Sequence, residues 1–253
     1  MTPMTPQADP MQSAKNSSQT YVLMHGAFHG GWCWPRVAGP LRAAGHRVYT
    51  PTLTGLGERS HLLSTDITLD VMVNDLVNVF EFEELTDVVL VAHSFAGAVV
   101  TGAASRLRSR IRHLVLLDSL LVLQSGQSPF DSIPPEVAAE RRRLAQASSG
   151  GLSIPVPSPA AFGVTDPLDL AWLTAKCTPH PLSAYASPLH FDGELLAGLP
   201  VTYVAVTPHY ASTVSARDYA RSRADWRYIE IEAGHDAMVT SPQRVLELLL
   251  ALP

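Results

Sequence analysis

Two cysteines in 253 residues, Cys33 and Cys177, are too few for a disulfide framework, and their spacing suits no metal. Packing is their expected role. The chain also lacks basic excess, with 18 Lys and Arg against 23 Asp and Glu and a formal net charge of −5. It offers no positive field to hold phosphates, so neither nucleic acid nor an anionic membrane surface is an expected partner. No apolar run approaches the length needed to cross a bilayer, because Asp118 and the amphipathic spacing of the C-terminal segment interrupt the best candidates. Residues 1–20 have no apolar segment that could serve as a signal-peptide core; rich in Pro, Gln, Ser and Thr, they read as a disordered leader. These absences imply a soluble, cytoplasmic protein, monomeric or homodimeric, acting on a small, largely uncharged molecule without cofactor or metal.

Hydrophobic residues make up 46% of the chain and charged residues 16%, enough to bury a central sheet in one α/β domain. Short apolar strands are predicted at Tyr21–Met24, His46–Thr50, Val88–Val91, Ile111–Leu117, Val201–Val206 and Trp226–Glu232. Between them lie helical patterns: Trp34–Ala44 closed by Gly45, a segment capped by Thr68 with Leu69, Met72, Val73, Leu76 and Phe80 at helical spacing, Phe95–Arg106, Val214–Arg223 and Pro242–Leu250. Pro51–Ser64, with Gly55, Gly57 and Ser60, is a connection expected to line a site. Gln124–Pro181 changes texture, dense in Ser, Pro, Ala and Gly around one charged helix near Val137–Ala147. Alternating strands and helices on both sides of such an insert predict a doubly wound, mostly parallel sheet with a lid insertion over about 120–197.

Three short motifs carry chemistry. Ala92-His93-Ser94-Phe95-Ala96 places a lone serine between an apolar strand and a helix of small residues, the form of a nucleophile elbow with alanine where glycine is usual. Gly234-His235-Asp236 follows the last predicted strand, on the edge where Ser94 also falls, and supplies His235 as a base for the serine hydroxyl. His25-Gly26-Ala27 follows the first strand. His25, His29 and His93 are the rival histidines.

With these motifs in place, residues 20–253 resemble the α/β-hydrolase superfamily, in its esterase and hydroxynitrile-lyase branch. The likeness rests on His25 through Trp34, Thr54-Gly55-Leu56-Gly57-Glu58-Arg59, Ala92 through Phe95, and Gly234 through Asp236. The long first motif and the GLGER stretch look most like bacterial carboxylesterases, pyrethroid-hydrolase-like enzymes among them. Lyases of the branch carry threonine after the first histidine and lysine after the catalytic one, whereas this chain has Gly26 and Asp236. The resemblance implies the order nucleophile, acid, histidine, with the acid at a strand end between Ser94 and His235. Plant members keep it after the strand that ends here in Thr207-Pro208-His209, where no carboxylate stands; Asp218 comes next, inside a predicted helix. Asp118, one βαβ traverse beyond Ser94, is the expected acid, and Asp236 is the main alternative. The arrangement also implies an oxyanion hole from the backbone N–H groups of Ala27 and Phe95.

A serine-dependent hydrolase of carboxylic esters is the expected function. Phe28, His29 and Trp32, with an apolar lid from Ile154–Phe162 and Ala171–Leu173, would shape a pocket for a hydrophobic or aromatic ester. Amide or carbamate hydrolysis, a base-catalysed reaction using His235 and Asp118, and non-catalytic binding of a small molecule are the alternatives.

Overall fold

The computed structural model describes residues 18–252, so most of the predicted leader lies outside the described residues. Its last position, Thr20, already belongs to a strand. Among the described residues the chain first forms strands β1 (Thr20–Met24), β2 (Arg47–Tyr49), β3 (Val88–His93) and β4 (Ile111–Leu117). A separate antiparallel pair follows, β5 (Ser153–Ile154) with β6 (His180–Pro181), and then β7 (Val201–Thr207) and β8 (Arg227–Glu232). The helices are α1 (Pro35–Ala43), α2 (Leu69–Phe82), α3 (Ala96–Leu107), α4 (Pro135–Ser149), α5 (Pro167–Lys176), α6 (Leu182–Ala186), α7 (Val214–Ser222), α8 (Ala237–Thr240) and α9 (Pro242–Leu250). None of these is long and apolar enough to cross a membrane.

Six strands make one sheet in the order β2-β1-β3-β4-β7-β8, parallel at every pairing. Every residue of β3 is buried, as a strand covered on both faces requires, which is why it reads as an unbroken apolar run and not as an alternation. The predicted stripe of α2 is buried as expected, through Leu69, Met72, Val73, Leu76 and Phe80. Thr68 takes the N-cap position of α2 with extended backbone, but its side chain makes no capping bond.

Register decides what the sheet presents at its carboxyl edge. Met24 of β1 pairs with Ala92 of β3, His93 with Leu117 of β4, and Leu117 with Val204 of β7. The residues following these ends, His25, Ser94 and Asp118, are therefore brought to one edge, and the ladder continues one step past the strands. Ser94 N–H donates to Leu117 O at 3.2 Å and Asp118 N–H to Val204 O at 2.7 Å. Both residues have positive φ, 53° and 40°, a conformation that turns each chain sharply off its strand.

The segment between β4 and β7 carries α4, α5, α6 and the β5–β6 pair; the charged helix predicted near Val137–Ala147 is α4, extended by two residues at each end. It is tied to the loops of the sheet edge. Thr178 N–H donates to Phe28 O at 2.9 Å, Asp236 N–H donates to Phe162 O at 3.2 Å, and Arg36 of α1 pairs with Asp169 of α5. Gly163 lies so close to Gly234 that a Cβ on Gly163 would fall 2.6 Å from the Gly234 Cα. Side chains are excluded from both positions, and the insert can then seat on the loop that carries His235.

Candidate active site

The sharp turn at Ser94 leaves room for little else. A Cβ on Gly26 would stand 2.7 Å from Ser94 Cβ and 2.9 Å from His93 Nδ1, so glycine is demanded by the approach of the β1 and β3 edges. Ala92 and Ala96, the small residues flanking the elbow, are fully buried.

His235 bridges the two strand-end residues. Ser94 Oγ donates to His235 Nε2 at 2.8 Å, and His235 Nδ1–H donates to Asp118 Oδ2 at 2.6 Å. The carboxylate can only accept, which fixes the proton on Nδ1 and leaves Nε2 free to take one. Asp118 Oδ1 in turn accepts from Thr213 Oγ1 at 3.0 Å. The Tyr210 ring stacks on His235 with centroids 3.8 Å apart, and His93 Nε2–H donates to His235 O at 2.9 Å. Ring and backbone of the histidine are thus held from separate sides.

Asp236 does other work. Its Oδ2 accepts from His29 Nε2 at 3.1 Å, while His29 Nδ1–H donates to Ala27 O at 2.8 Å. Both partners are pure acceptors, so both ring nitrogens of His29 carry protons and the pair is an ion pair. Burial opposes charge on His29, yet the Asp236 carboxylate outweighs it and holds the imidazole well above its ordinary range. Burial likewise opposes charge on Asp236, and the His29 cation overcomes it, drawing the carboxyl below its usual value.

Three further histidines around the site, His25, His93 and His180, are buried neutral. His25 accepts from Leu53 N–H at its Nε2 and gives its Nδ1 proton to Gly26 O, which ties the loop after β1 to the loop after β2. Burial drives both His25 and His93 down to about 3. His180 of β6 is pushed well below its ordinary value, first by burial and then by the charge of Arg141. Of the rivals considered for the base, then, none stands on Ser94 Oγ.

A narrow pocket with a cavity volume of about 10 Å³ opens at Ser94, lined on one side by Ala27, Phe28, His29 and His235 and on the other by Arg141, Phe162, Tyr185 and Tyr210. Phe95, beside Ser94 in sequence, is fully buried against Tyr185. Of the three residues expected to shape the pocket, Phe28 and His29 line it and Trp32 does not. Trp32 stands one layer behind, stacked on His29 at 5.4 Å and meeting Trp172 edge-on, because His29 is drawn over Asp236 and fills the intervening space. From the predicted apolar lid, Phe162 reaches the pocket, whereas Ile154 and Leu173 are buried in the core.

Four residues at the site escaped sequence reasoning: Arg141, Tyr185, Tyr210 and Thr213. Tyr210 and Thr213 come from the loop after β7, which has no carboxylate and instead supports His235 and Asp118 from that side. His209 there points its Nδ1 at Val206 O and lies near Glu230, away from the pair. Arg141 had a legible signal in its phase, since Ala138, Arg141 and Ala145 share the inner face of α4.

The alpha/beta hydrolase family matches residues 21–248. A carbendazim hydrolyzing esterase of Nocardioides sp. (strain SG-4G) is 38% identical over 243 residues, covering 92% of this chain and 98% of that one. Among solved structures, an extracellular alpha/beta-hydrolase from a Paenibacillus species, described as sharing structural and functional homology with tobacco salicylic acid binding protein 2, superposes with a TM-score of 0.76. It is 25% identical and covers 92% of this chain and 98% of that one. A pyrethroid hydrolase shares the fold, with a TM-score of 0.62 at 15% identity, covering 92% of this chain and 97% of that one. Sheet order, the strand-end serine and these matches agree, and the chain belongs to the alpha/beta hydrolase family.

Proposed function

We propose that this protein hydrolyses carboxylic esters through Ser94, and the observation that carries the reading is the His235 ring bonded to Ser94 Oγ on one side and Asp118 on the other. Serine hydroxyl is a poor nucleophile until a base takes its proton. In the proposed reaction His235 Nε2 takes that proton as Oγ attacks the ester carbonyl, and Asp118 stabilises the imidazolium that forms. The N–H groups of Ala27 and Phe95 receive the oxyanion, a pair of donors each worth on the order of 3 kcal/mol of barrier in such sites. His235 then protonates the departing alkoxide, and water, deprotonated by the same nitrogen, releases the acid from Ser94. The esterase relatives support the bond type. Residues of the insert, Arg141, Phe162 and Tyr185, close one side of the pocket.

The test is release of nitrophenol from p-nitrophenyl acetate and butyrate by the wild-type protein and by Ser94→Ala. Turnover should vanish in the variant; equal rates would end the reading.

A further inference from the structure

Arg141 is a cation in the active-site pocket, and no carboxylate among the described residues pairs with it. It projects from α4 into the wall of the pocket that holds Ser94 and His235. Its Nη2 donates to Ser212 Oγ at 3.3 Å, and its guanidinium lies over the Tyr185 ring, 5.0 Å from the centroid. Nη1 is buried and meets no carboxylate among the described residues. The groups that bear on its charge are the phenols of Tyr185 and Tyr210 and not a carboxylate. The other buried charges nearby are already matched: His29 with Asp236, and Asp118 with His235 and Thr213.

A buried, unpaired guanidinium is costly, and at a functional site the expected remedy is a ligand that brings the counter-charge. Arginine suits a planar, two-oxygen acceptor better than any other side chain. We propose that Arg141 is a specificity residue that binds a carboxylate on the acyl portion of the substrate, so that the preferred esters are half-esters of short dicarboxylic acids. This rests on the reading that Ser94 hydrolyses esters. It departs from the uncharged, hydrophobic substrate expected from sequence, because the pocket is walled in part by a cation and two phenols. Ser212 and Tyr185 hold the guanidinium in place, and a substrate carboxylate would bring the counter-charge it lacks.

The test compares monomethyl succinate with methyl 4-oxopentanoate, which keeps an acceptor oxygen but carries no charge, and with methyl pentanoate, followed by proton release at constant pH. Wild type, Arg141→Met and Arg141→Lys are measured, with circular dichroism to confirm folding, and p-nitrophenyl acetate is used as a neutral reference substrate. Wild type should favour the half-ester. Arg141→Met should lose roughly tenfold to a hundredfold of kcat/KM on it, mainly through KM, as expected for a charge-assisted hydrogen bond. The neutral esters should change less than threefold, and Arg141→Lys should recover part of the loss. Succinate should inhibit p-nitrophenyl acetate hydrolysis competitively in wild type and not in Arg141→Met.

Equal loss on charged and neutral esters would make Arg141 structural and overturn the proposal, as would equal loss on the keto ester, which would show a neutral acceptor being read. A wild-type enzyme that turns over p-nitrophenyl acetate but neither hydrolyses the half-ester nor binds succinate would overturn it as well. If Ser94→Ala retained full activity on p-nitrophenyl acetate, the ester-hydrolase reading itself would fall, independently of what Arg141 does.

Discussion

Acid should destabilise this protein well before its carboxylates are neutralised. His25 and His93 are buried in their neutral forms with values pushed by burial to about 3, whereas the unfolded chain presents each near 6.5. Below pH 6.5 the unfolded state therefore takes up protons that the folded state refuses, and stability falls at up to about 1.4 kcal/mol per pH unit for each group. At pH 5 the loss relative to pH 6.5 is roughly 1.6 kcal/mol for each histidine, about 3 kcal/mol for the two. His180 and His113, both also lowered chiefly by burial, add in the same direction.

The ion pair does not offset this. His29 is raised, so its stabilisation is fully present below the unfolded value and is lost only as pH climbs through its folded value. Asp236 is lowered, so its stabilisation holds above about 3.8 and fades as pH drops through its folded value. Both contributions are level between pH 6.5 and 4. Against a total of about 5–15 kcal/mol for a typical domain, a loss of about 3 kcal/mol or more is easily seen. Urea unfolding followed by tryptophan fluorescence at pH 8, 6.5, 5.5 and 5.0 should show the midpoint falling steeply below 6.5. The same unfolding free energy at pH 6.5 and pH 5 would refute the reasoning, since it would require these imidazoles to be protonated inside the fold.

Gly26→Ala should lower kcat/KM by about a hundredfold, because the new Cβ, 2.7 Å from Ser94 Cβ, displaces the nucleophile itself; steady-state kinetics at unchanged substrate range would expose a rate that did not move. Thr213→Val removes the hydrogen bond to Asp118 Oδ1 and should reduce kcat about tenfold, with a thermal melt to show that the fold persists. Asp118→Asn should reduce kcat by about four orders of magnitude, as loss of the orienting carboxylate does in serine triads. Asp236→Asn should instead destabilise the protein by about 3 kcal/mol, since it strips the counter-charge from a buried imidazolium, while kcat per folded molecule stays within a few-fold. The reverse pattern for these last two variants would hand the acid's role to Asp236.

Much of the site could be read before any coordinates, and the reasons are local. A strand, a lone serine and a small-residue helix within nine positions leave few conformations open at Ser94, and the glycine at 26 sits where only a close backbone approach explains it. Element boundaries came out within a residue or two on the sheet strands, because β1, β3, β4 and β7 are apolar runs bounded by loop residues. The short helices α6 and α8 and the β5–β6 pair are not legible, being too brief for any period to register, and the ten-residue α5 also went unpredicted within the insert.

Asp118 and Asp236 show where sequence stopped. Each stands at a strand end, and each is one loop from a histidine, so both remained open as the acid. Parallel register separates them: Leu117 beside His93 carries Asp118 to the Nδ1 face of His235, and the turn after His235 carries Asp236 away, onto His29. Trp32 was misjudged for a related reason, since the stacking that moves it behind His29 depends on that same distant pair. Arg141 lies on an insert whose composition suggests only a solvated helix, and its place at the pocket follows from how α4 docks over the sheet edge. The sequence by itself determined the strand order of reacting groups and the serine chemistry they allow, because backbone strain and residue size are local properties. Which carboxylate meets which imidazole, and which charge the pocket offers a substrate, were decided by tertiary packing alone, because hydrogen bonds and buried charge are settled by distances between residues far apart in the chain.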